Sequence, residues 1–151
     1  MVYLRKATTE DMDLLFVWAN DKTLRANSFS SEQIPYEDHV NWFMRTMKSE
    51  TIDIYILIDD GIPVGQIRLD ISGEDAEISY GISAPYRGKG YGKLILQKFY
   101  DLVKSEYPDI KRLIARVKPD NNASKKILER EGYTMKYVCY NMELLSTLRN
   151  S

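Results

Sequence analysis

The chain of 151 residues lacks several features that would point to particular classes of protein. Its single cysteine, Cys139, excludes an intramolecular disulfide framework and a cysteine-rich zinc site, and we expect no metal. A net charge of −1 gives no bulk attraction to nucleic acid or to membranes, so we expect neither as a partner. No apolar run is long enough to span a bilayer, and the first residues lack the apolar region of a signal peptide. We therefore expect a cytoplasmic protein.

The composition is that of an ordinary globular protein, with 44% hydrophobic and 28% charged residues. The sequence contains no internal repeat, no low-complexity tract and no linker. We expect residues 1–151 to form one domain with a full hydrophobic core.

Hydrophobic periodicity predicts the elements of the N-terminal half. Residues 2–7 alternate as a strand, and Thr8 or Thr9 can cap the helix that follows. The polar residues 20–35 are typical of a loop, and Pro35 begins a second helix. Residues 52–58, 64–71 and 74–83 then predict three strands joined by turns.

The C-terminal half predicts a helix over residues 90–105, a strand over 112–117 and a helix over 123–131 that Gly132 closes. Residues 133–145 predict one or two further strands. The resulting order, β-α-α-β-β-β-α-β-α-β, favours an α/β fold with a mixed sheet.

The stretch "APYRGKGYGKLIL", residues 84–96, joins the fourth predicted strand to a helix. It holds three glycines and three cations: Gly88, Gly90, Gly92, Arg87, Lys89 and Lys93. A glycine-rich turn at a helix N-terminus lets backbone amides approach an anion, and the helix dipole favours negative charge there. The pattern equally fits a tight turn whose cations are simply solvated.

Two known nucleotide-binding patterns do not fit this stretch. A P-loop requires serine or threonine after its Gly-Lys pair, whereas Leu94 follows Lys93. A dinucleotide-binding turn follows the first strand of its unit, whereas this turn follows the fourth.

The sequence "YRGKGYG" resembles the Arg/Gln-x-x-Gly-x-Gly/Ala signature of the GNAT superfamily of N-acetyltransferases, with Arg87, Gly90 and Gly92 in the motif positions. The stretch "IARVKPDNNASKKILEREGY" is similar to the fifth strand and fourth helix of that superfamily. The resemblance covers nearly the whole chain. It implies a mostly antiparallel mixed sheet of six or seven strands, splayed between the fourth and fifth, with about four flanking helices.

The resemblance also implies acetyl-CoA as co-substrate, with pantetheine lying in the gap between the splayed strands. It implies that the cofactor contacts Ile82, Ser83, Ala84, Arg87, Gly88, Lys89, Gly90, Tyr91, Gly92, Lys93, Asn121 and Ser124. Taken singly, Asn121 is better explained as a turn residue and Ser124 as a helix cap, whereas within this motif a functional role is favoured for Asn121.

Acetyl transfer to an amine requires a base for the amine proton and a donor for the thioester oxygen. The resemblance implies a backbone amide near Ile82 as the donor. Glu77 is the candidate base, although it could equally be a solvated strand residue. Asp70 is a second candidate, and Arg68 could contact an anion.

The general acid is the clearest departure from the superfamily. Many members carry a tyrosine seven residues after the motif asparagine, whereas this chain has Leu128. Tyr80, Tyr133 or Tyr140 could supply the proton, and we take Tyr133 as the candidate. Alternatively the thiolate leaves without an acid, because a thiol pKa of roughly 8.5 allows it.

Residues 16–43 resemble the N-terminal region of bacterial acetyltransferases for nucleotide-linked amino sugars and, more loosely, of ribosomal-protein N-terminal acetyltransferases. The shared residues are Trp18, Asn20, the stretch 25–29, His39, Trp42 and Phe43. We expect Asn27, Ser28, His39, Arg68 and Tyr80 to contact the acceptor, although His39 and Trp42 on a helix are more often packing residues.

The predicted function is transfer of acetyl to a primary amine, with the 4-amino group of a nucleotide-linked amino sugar as the favoured acceptor. A peptide N-terminus, a small amine, or binding of acetyl-CoA without catalysis remain the alternatives. A homodimer is possible.

Overall fold

The computed structural model describes residues 1–144. Its strands are β1 (Val2–Lys6), β2 (Ile52–Asp59), β3 (Ile62–Ser72), β4 (Asp75–Ile82) and β5 (Arg112–Ala115). Its helices are α1 (Met12–Ala19), α2 (Lys22–Asn27), α3 (Tyr36–Lys48), α4 (Tyr91–Glu106) and α5 (Asn122–Arg130), with short 3-10 turns at Thr9–Asp11 and Ala84–Tyr86. Within residues 1–144, every helix is too short or too polar to cross a bilayer.

The strands form one sheet in the order β1-β2-β3-β4-β5. The first four pair antiparallel, and β5 runs parallel to β4. Helix α4 makes the crossover that a parallel pair requires. The predicted α/β class with a mixed, mostly antiparallel sheet is confirmed.

Strand β2 explains why the sheet is covered on both faces. Its side chains are apolar in both directions, as expected for a strand that is buried on two sides. Ile54, Ile56 and Ile58 pack with residues of α1 and α3, whereas Tyr55 and Leu57 face the cluster that includes α4. The sheet therefore separates an α1–α3 side from an α4–α5 side.

The 3-10 turn Thr9–Asp11, which precedes α1, has a complete capping box at its N-terminus. The Thr8 side chain accepts from the backbone, and the Asp11 carboxylate accepts from the Thr8 N–H at 2.8 Å. Arg5 on β1 forms two hydrogen bonds with Asp11, at 2.8 and 2.9 Å. These bonds from Arg5 hold the pKa of Asp11 below its usual value, and they fasten α1 to the edge strand.

The predicted loop over residues 20–35 is wrong in part, because Lys22–Asn27 forms α2. The Asp21 side chain caps this helix by accepting from the Leu24 N–H at 3.1 Å. Leu24 then lies against β4, where a Cβ placed on Gly81 would meet its Cδ1 at 3.1 Å. A short, mostly polar sequence thus becomes helical through one cap and the packing of the half-buried Leu24.

The predicted sheet is also too large for the described part of the chain. Strand β5 ends at Ala115 rather than at residue 117, and residues 133–144 form no strand. Their sequence suits a strand, but strand structure requires a hydrogen-bonded neighbour and these residues lie against none. Leu145, the last residue of that prediction, lies outside the described residues.

Candidate active site

The glycine turn, residues 87–92, links β4 to α4 through two left-handed residues. Gly88 has φ of 74° and Gly90 has φ of 88°, a region that side chains with a Cβ rarely adopt. Gly90 is the N-cap of α4, and no side chain caps the amides of the first turn. A Cβ at Gly88 or Gly90 would meet nothing within 4 Å. The turn therefore presents uncapped amides to open space, which is the arrangement that binds an anion.

Gly92 has a different role from the other two glycines. A Cβ at this position would come within 3.0 Å of Cδ1 of Ile127 on α5. Its small size therefore lets α4 and α5 approach each other closely.

The three cations of the turn are placed differently. Arg87 donates to the Ile82 carbonyl at 3.0 Å and to Asp21 at 2.5 Å. Burial alone would raise the pKa of the Asp21 carboxyl, but hydrogen bonds from Arg87 and the Leu24 N–H lower it. The Lys89 ammonium lies 5.7 Å from the centre of the Tyr86 ring, and Lys93 is exposed on the first turn of α4. Arg87 thus braces the turn against α2, whereas the two lysines lie on its outer surface.

The ends of the turn are held by further side chains. The Tyr91 hydroxyl donates to Asp59 at the end of β2. Ser83 is buried, and its N–H donates to the Val64 carbonyl at 2.9 Å. Ala84 is exposed at the start of the 3-10 turn.

The ladder between β4 and β5 stops early, at the pair of Ile78 and Ala115. The Ser83 N–H donates to the Val64 carbonyl, so Ser83 and Val64 are a hydrogen-bonded pair. Because pair types alternate along an antiparallel ladder, the neighbouring pair of Ile82 and Gly65 is of the non-hydrogen-bonded type. In an antiparallel ladder such residues turn their own peptide groups away from the partner strand. Tyr80 and Ile82 therefore direct their N–H groups toward the gap beyond the end of β5.

Four predicted site residues form a cluster on the α5 side of this gap. The Tyr80 hydroxyl lies 2.9 Å from the Ser124 hydroxyl, and Asn121 caps α5 by accepting from the Ser124 N–H at 3.3 Å. Burial raises the pKa of Tyr133 to about 12, and the neighbouring Tyr80 adds to this shift. Burial also raises the pKa of Tyr80, against the effect of its bond with Ser124. Both phenols therefore keep their protons at neutral pH and can act as hydrogen-bond donors.

Leu128, which stands where a tyrosine was expected, belongs to the hydrophobic core. It is 5% exposed and lies in the same cluster as Ile78, Ile95 and Phe99. A tyrosine at this position would overpack the core. Tyr140 is 91% exposed and does not join the Tyr80–Tyr133 cluster.

Glu77 lies on the opposite, α1–α3 side of β4. It faces Asp70 across the ladder, and its Oε1 forms an ion pair with Arg116, whose Nε lies 3.0 Å away. Its side chain is 47% exposed. The candidate base and the candidate donor Tyr133 thus lie on different sides of the sheet, and Glu77 pairs with Ile114 just before the ladder between β4 and β5 ends.

The predicted acceptor residues are only partly brought together. Asn27 is exposed at the end of α2, the Ser28 hydroxyl donates to the Leu24 carbonyl at 2.6 Å, and Arg68 lies over the Trp42 ring at 5.7 Å. These three belong to the α1–α3 side, whereas Tyr80 lies on the other.

His39 does not lie in the acceptor region. It is 2% exposed, and its Nε2 donates to the Met12 carbonyl at 2.9 Å. It packs among Phe16, Trp42 and Phe43 between α1 and α3. This burial does not support the predicted acceptor contact.

Sequence reasoning missed three residues that shape the site. Asp21 braces Arg87, Arg116 holds Glu77, and the Lys118 ammonium donates to the Ala26 carbonyl of α2 at 2.9 Å. Asp21 could have been recognised as a helix cap. The other two depend on contacts between distant parts of the chain, which no local pattern indicates.

Residues 2–134 match the family model described as "Acetyltransferase (GNAT) domain". The chain is 27% identical over 94 residues to the uncharacterized N-acetyltransferase YfmK of Bacillus subtilis (strain 168). That alignment spans 62% of this chain and 62% of the length of YfmK.

Three solved structures illustrate the similarity in fold. The aminoglycoside acetyltransferase AAC(6')-Ib in complex with coenzyme A has a TM-score of 0.78 at 19% identity, over 90% of this chain and 86% of its own. Spermidine N-acetyltransferase from Vibrio cholerae, with CoA and spermine, has a TM-score of 0.82 at 14% identity, over 90% and 82%. RimL, a ribosomal L7/L12 alpha-N-protein acetyltransferase with coenzyme A, has a TM-score of 0.78 at 18% identity, over 90% and 81%. The predicted fold class is confirmed.

Proposed function

The chain belongs to the GNAT acetyltransferase family, and on that premise we propose that it transfers the acetyl group of acetyl-CoA to a primary amine. The observation that carries the proposal is the combination of the uncapped N-terminus of α4 with the early end of the β4–β5 ladder. The first suits a pyrophosphate, and the second leaves room for an extended pantetheine arm. CoA or acetyl-CoA in complexes of similar fold supports this reading.

In the proposed complex, the amides of residues 88–93 hold the pyrophosphate. Lys89 and Lys93 add positive charge from the outer surface of the turn. Arg87 holds the turn in position through its hydrogen bond with Asp21. The Tyr80 peptide groups and the Ile82 N–H bind the pantetheine arm and the thioester oxygen, and Asn121 and Ser124 line the other side of the arm.

The reaction joins the acceptor nitrogen to the acetyl carbon and breaks the bond from that carbon to sulfur. Glu77, directly or through a water, takes the proton that the amine loses. The N–H of Ile82 stabilises the oxyanion. Tyr133 donates a hydrogen bond to the departing thiolate and keeps its own proton, because its pKa is about 12 and that of a thiol is roughly 8.5.

We favour the 4-amino group of a nucleotide-linked amino sugar as the acceptor. Asn27 and Ser28 offer polar contacts for a sugar, and the Arg68 guanidinium offers a contact for its diphosphate. The names of neighbours that act on spermidine and on a ribosomal protein support small amines and peptide N-termini as the second candidates.

Binding of acetyl-CoA should raise the melting temperature of the wild-type protein, because the ligand binds only the native state. Gly90→Val should abolish this shift, since a branched side chain would stand in the open space above the turn. Gly61→Val is the matched control: Gly61 also has positive φ, of 84°, and open space around it, but lies in the β2–β3 turn. Thermal unfolding with and without acetyl-CoA measures both variants. A normal shift in folded Gly90→Val would contradict the proposed phosphate site.

Glu77→Gln should lower turnover by roughly 10²-fold at neutral pH, the lower end of the 10²–10⁴ range for general-base catalysis. A sugar amine is less basic than lysine and needs less help to lose its proton. The loss should shrink as pH rises, because more of the amine is already deprotonated in solution. The measurement is the pH profile of CoA release, together with the acetyl-CoA thermal shift, which should stay unchanged.

Asp70→Asn is the control for Glu77→Gln, because Asp70 faces Glu77 across the same ladder. It should retain nearly normal turnover. The opposite pattern, with Glu77→Gln active at every pH and Asp70→Asn impaired, would transfer the role of base to Asp70.

Release of free CoA should depend on an acceptor, and we expect the highest kcat/KM with UDP-linked 4-amino sugars. Peptides with free N-termini and polyamines are the comparison acceptors in the same assay. Preference for either would assign the acceptor to that class and contradict the sugar proposal. Tight binding of acetyl-CoA without turnover on any of them would favour a non-catalytic binding module.

A further inference from the structure

Gly81 marks the point on β4 beside which the proposed thioester lies. Its two neighbours, Tyr80 and Ile82, turn their N–H groups toward the gap beyond the end of β5, and both are proposed to bind the acyl donor. By strand alternation, the side-chain direction of Gly81 falls on the α1–α3 side of β4, the same side as Glu77. Because Gly81 has no side chain, the backbone of β4 is open at this point to whatever packs on it.

Leu24 of α2 packs on this part of β4. A Cβ placed on Gly81 would have as its nearest neighbours Cδ1, Cδ2 and Cγ of Leu24, at 3.1, 3.4 and 3.5 Å. The contact is therefore made by the branched end of the leucine side chain. An acyl group bound beside Gly81 would meet this aliphatic surface on the side of the sheet that carries the candidate base.

The backbone of Leu24 is held by two hydrogen bonds from side chains. Its N–H donates to Oδ1 of Asp21 at 3.1 Å, and its carbonyl accepts from the Ser28 hydroxyl at 2.6 Å. Asp21 also accepts from Arg87 of the glycine turn, so the position of Leu24 is tied to the proposed pyrophosphate site. A side chain fixed in this way can limit the length of a ligand whose phosphate end lies on the turn.

Space for a longer acyl chain lies next to Leu24. This side chain lines a cavity of about 490 Å³ between α1, α2 and the 3-10 turn Ala84–Tyr86. Leu14, Val17 and Trp18 contribute apolar side chains to the same cavity. Leu24 thus contacts β4 and also borders the cavity, so a shorter side chain at this position would extend the space beside Gly81 toward the cavity.

We propose that Leu24 sets the acyl-chain length of the transferase, admitting acetyl and excluding longer chains. The inference rests on the proposed function, because it takes the thioester to lie beside Tyr80 and Ile82. Close-packed protein interiors accept an added methylene only with strain. One methylene in a hydrophobic pocket typically changes kcat/KM by roughly 10–200-fold. Butyryl is two methylenes longer than acetyl, so the wild type should use butyryl-CoA at least about 100-fold less well than acetyl-CoA.

Leu24→Ala removes the three atoms that lie over Gly81, and it should raise the ratio of kcat/KM for butyryl-CoA to that for acetyl-CoA at least about tenfold. Leu14→Ala is the matched control and should keep the wild-type ratio, because Leu14 is also a half-buried leucine that lines the cavity. Leu24→Val, whose side chain is one carbon shorter, should gain activity with propionyl-CoA more than with butyryl-CoA. CoA release is measured with whichever of the UDP-linked sugars, peptides and polyamines supports acetyl transfer.

The thermal shift with CoA, which carries no acyl group, should be the same in the wild type and in every variant that is folded. If Leu24→Ala does not unfold cooperatively, the propionyl-CoA ratio of Leu24→Val decides. A wild type that uses butyryl-CoA as well as acetyl-CoA would overturn the inference. So would an unchanged ratio in the Leu24 variants or an equal rise in Leu14→Ala. In each of these cases, normal acetyl transfer by the wild type would leave the proposed function standing, whereas no acetyl transfer with any acceptor would contradict both.

Discussion

The end of the β4–β5 ladder at Ile78 and Ala115 is the constraint on which the rest of the site depends. If β5 continued beside β4, it would form hydrogen bonds with the peptide groups of Tyr80 and Ile82, and no ligand could bind to them. Strand β5 is only four residues long, whereas β4 continues to Ile82 and stays fastened to β3. The sheet therefore stays paired on the β3 side of β4 and opens on the β5 side, which leaves peptide groups of β4 free for the proposed ligand without loss of the core.

The opened edge is coupled to both helical layers. Arg87 of the glycine turn forms a hydrogen bond with Asp21, and Asp21 also caps α2. These bonds connect the turn directly to α2, which carries part of the proposed acceptor surface. On the other side, Tyr80 contacts Ser124, whose amide is capped by Asn121. These hydrogen bonds link the proposed donor site to the proposed acceptor site, and a fixed distance between the two would favour an oriented attack.

The sequence patterns predicted the strands, the longer helices and the glycine turn, because alternation, caps and positive-φ glycines are local signals. The role of Leu128 as core and the pairing of Glu77 with Arg116 were not predictable in this way, whereas helix packing was one of the two interpretations given for His39. Each depends on which distant segment packs against the residue. Helix α2 was missed because six residues, four of them polar, carry little periodicity, and its stability comes from the Asp21 cap and the contact of Leu24 with Gly81. The segment after Tyr133 has strand composition but lacks the neighbour that would make it a strand.

The central claim is that the open edge of β4 is the binding surface for the acyl donor, and residue-resolved amide exchange by NMR tests it most directly. In the free protein, the Tyr80 and Ile82 amides should exchange faster than those of Ser79 and Gly81, which bond to β3 and serve as internal references. Saturating acetyl-CoA should slow Tyr80 and Ile82 at least about tenfold more than the references. Unchanged exchange of both amides in the presence of bound acetyl-CoA would contradict the account.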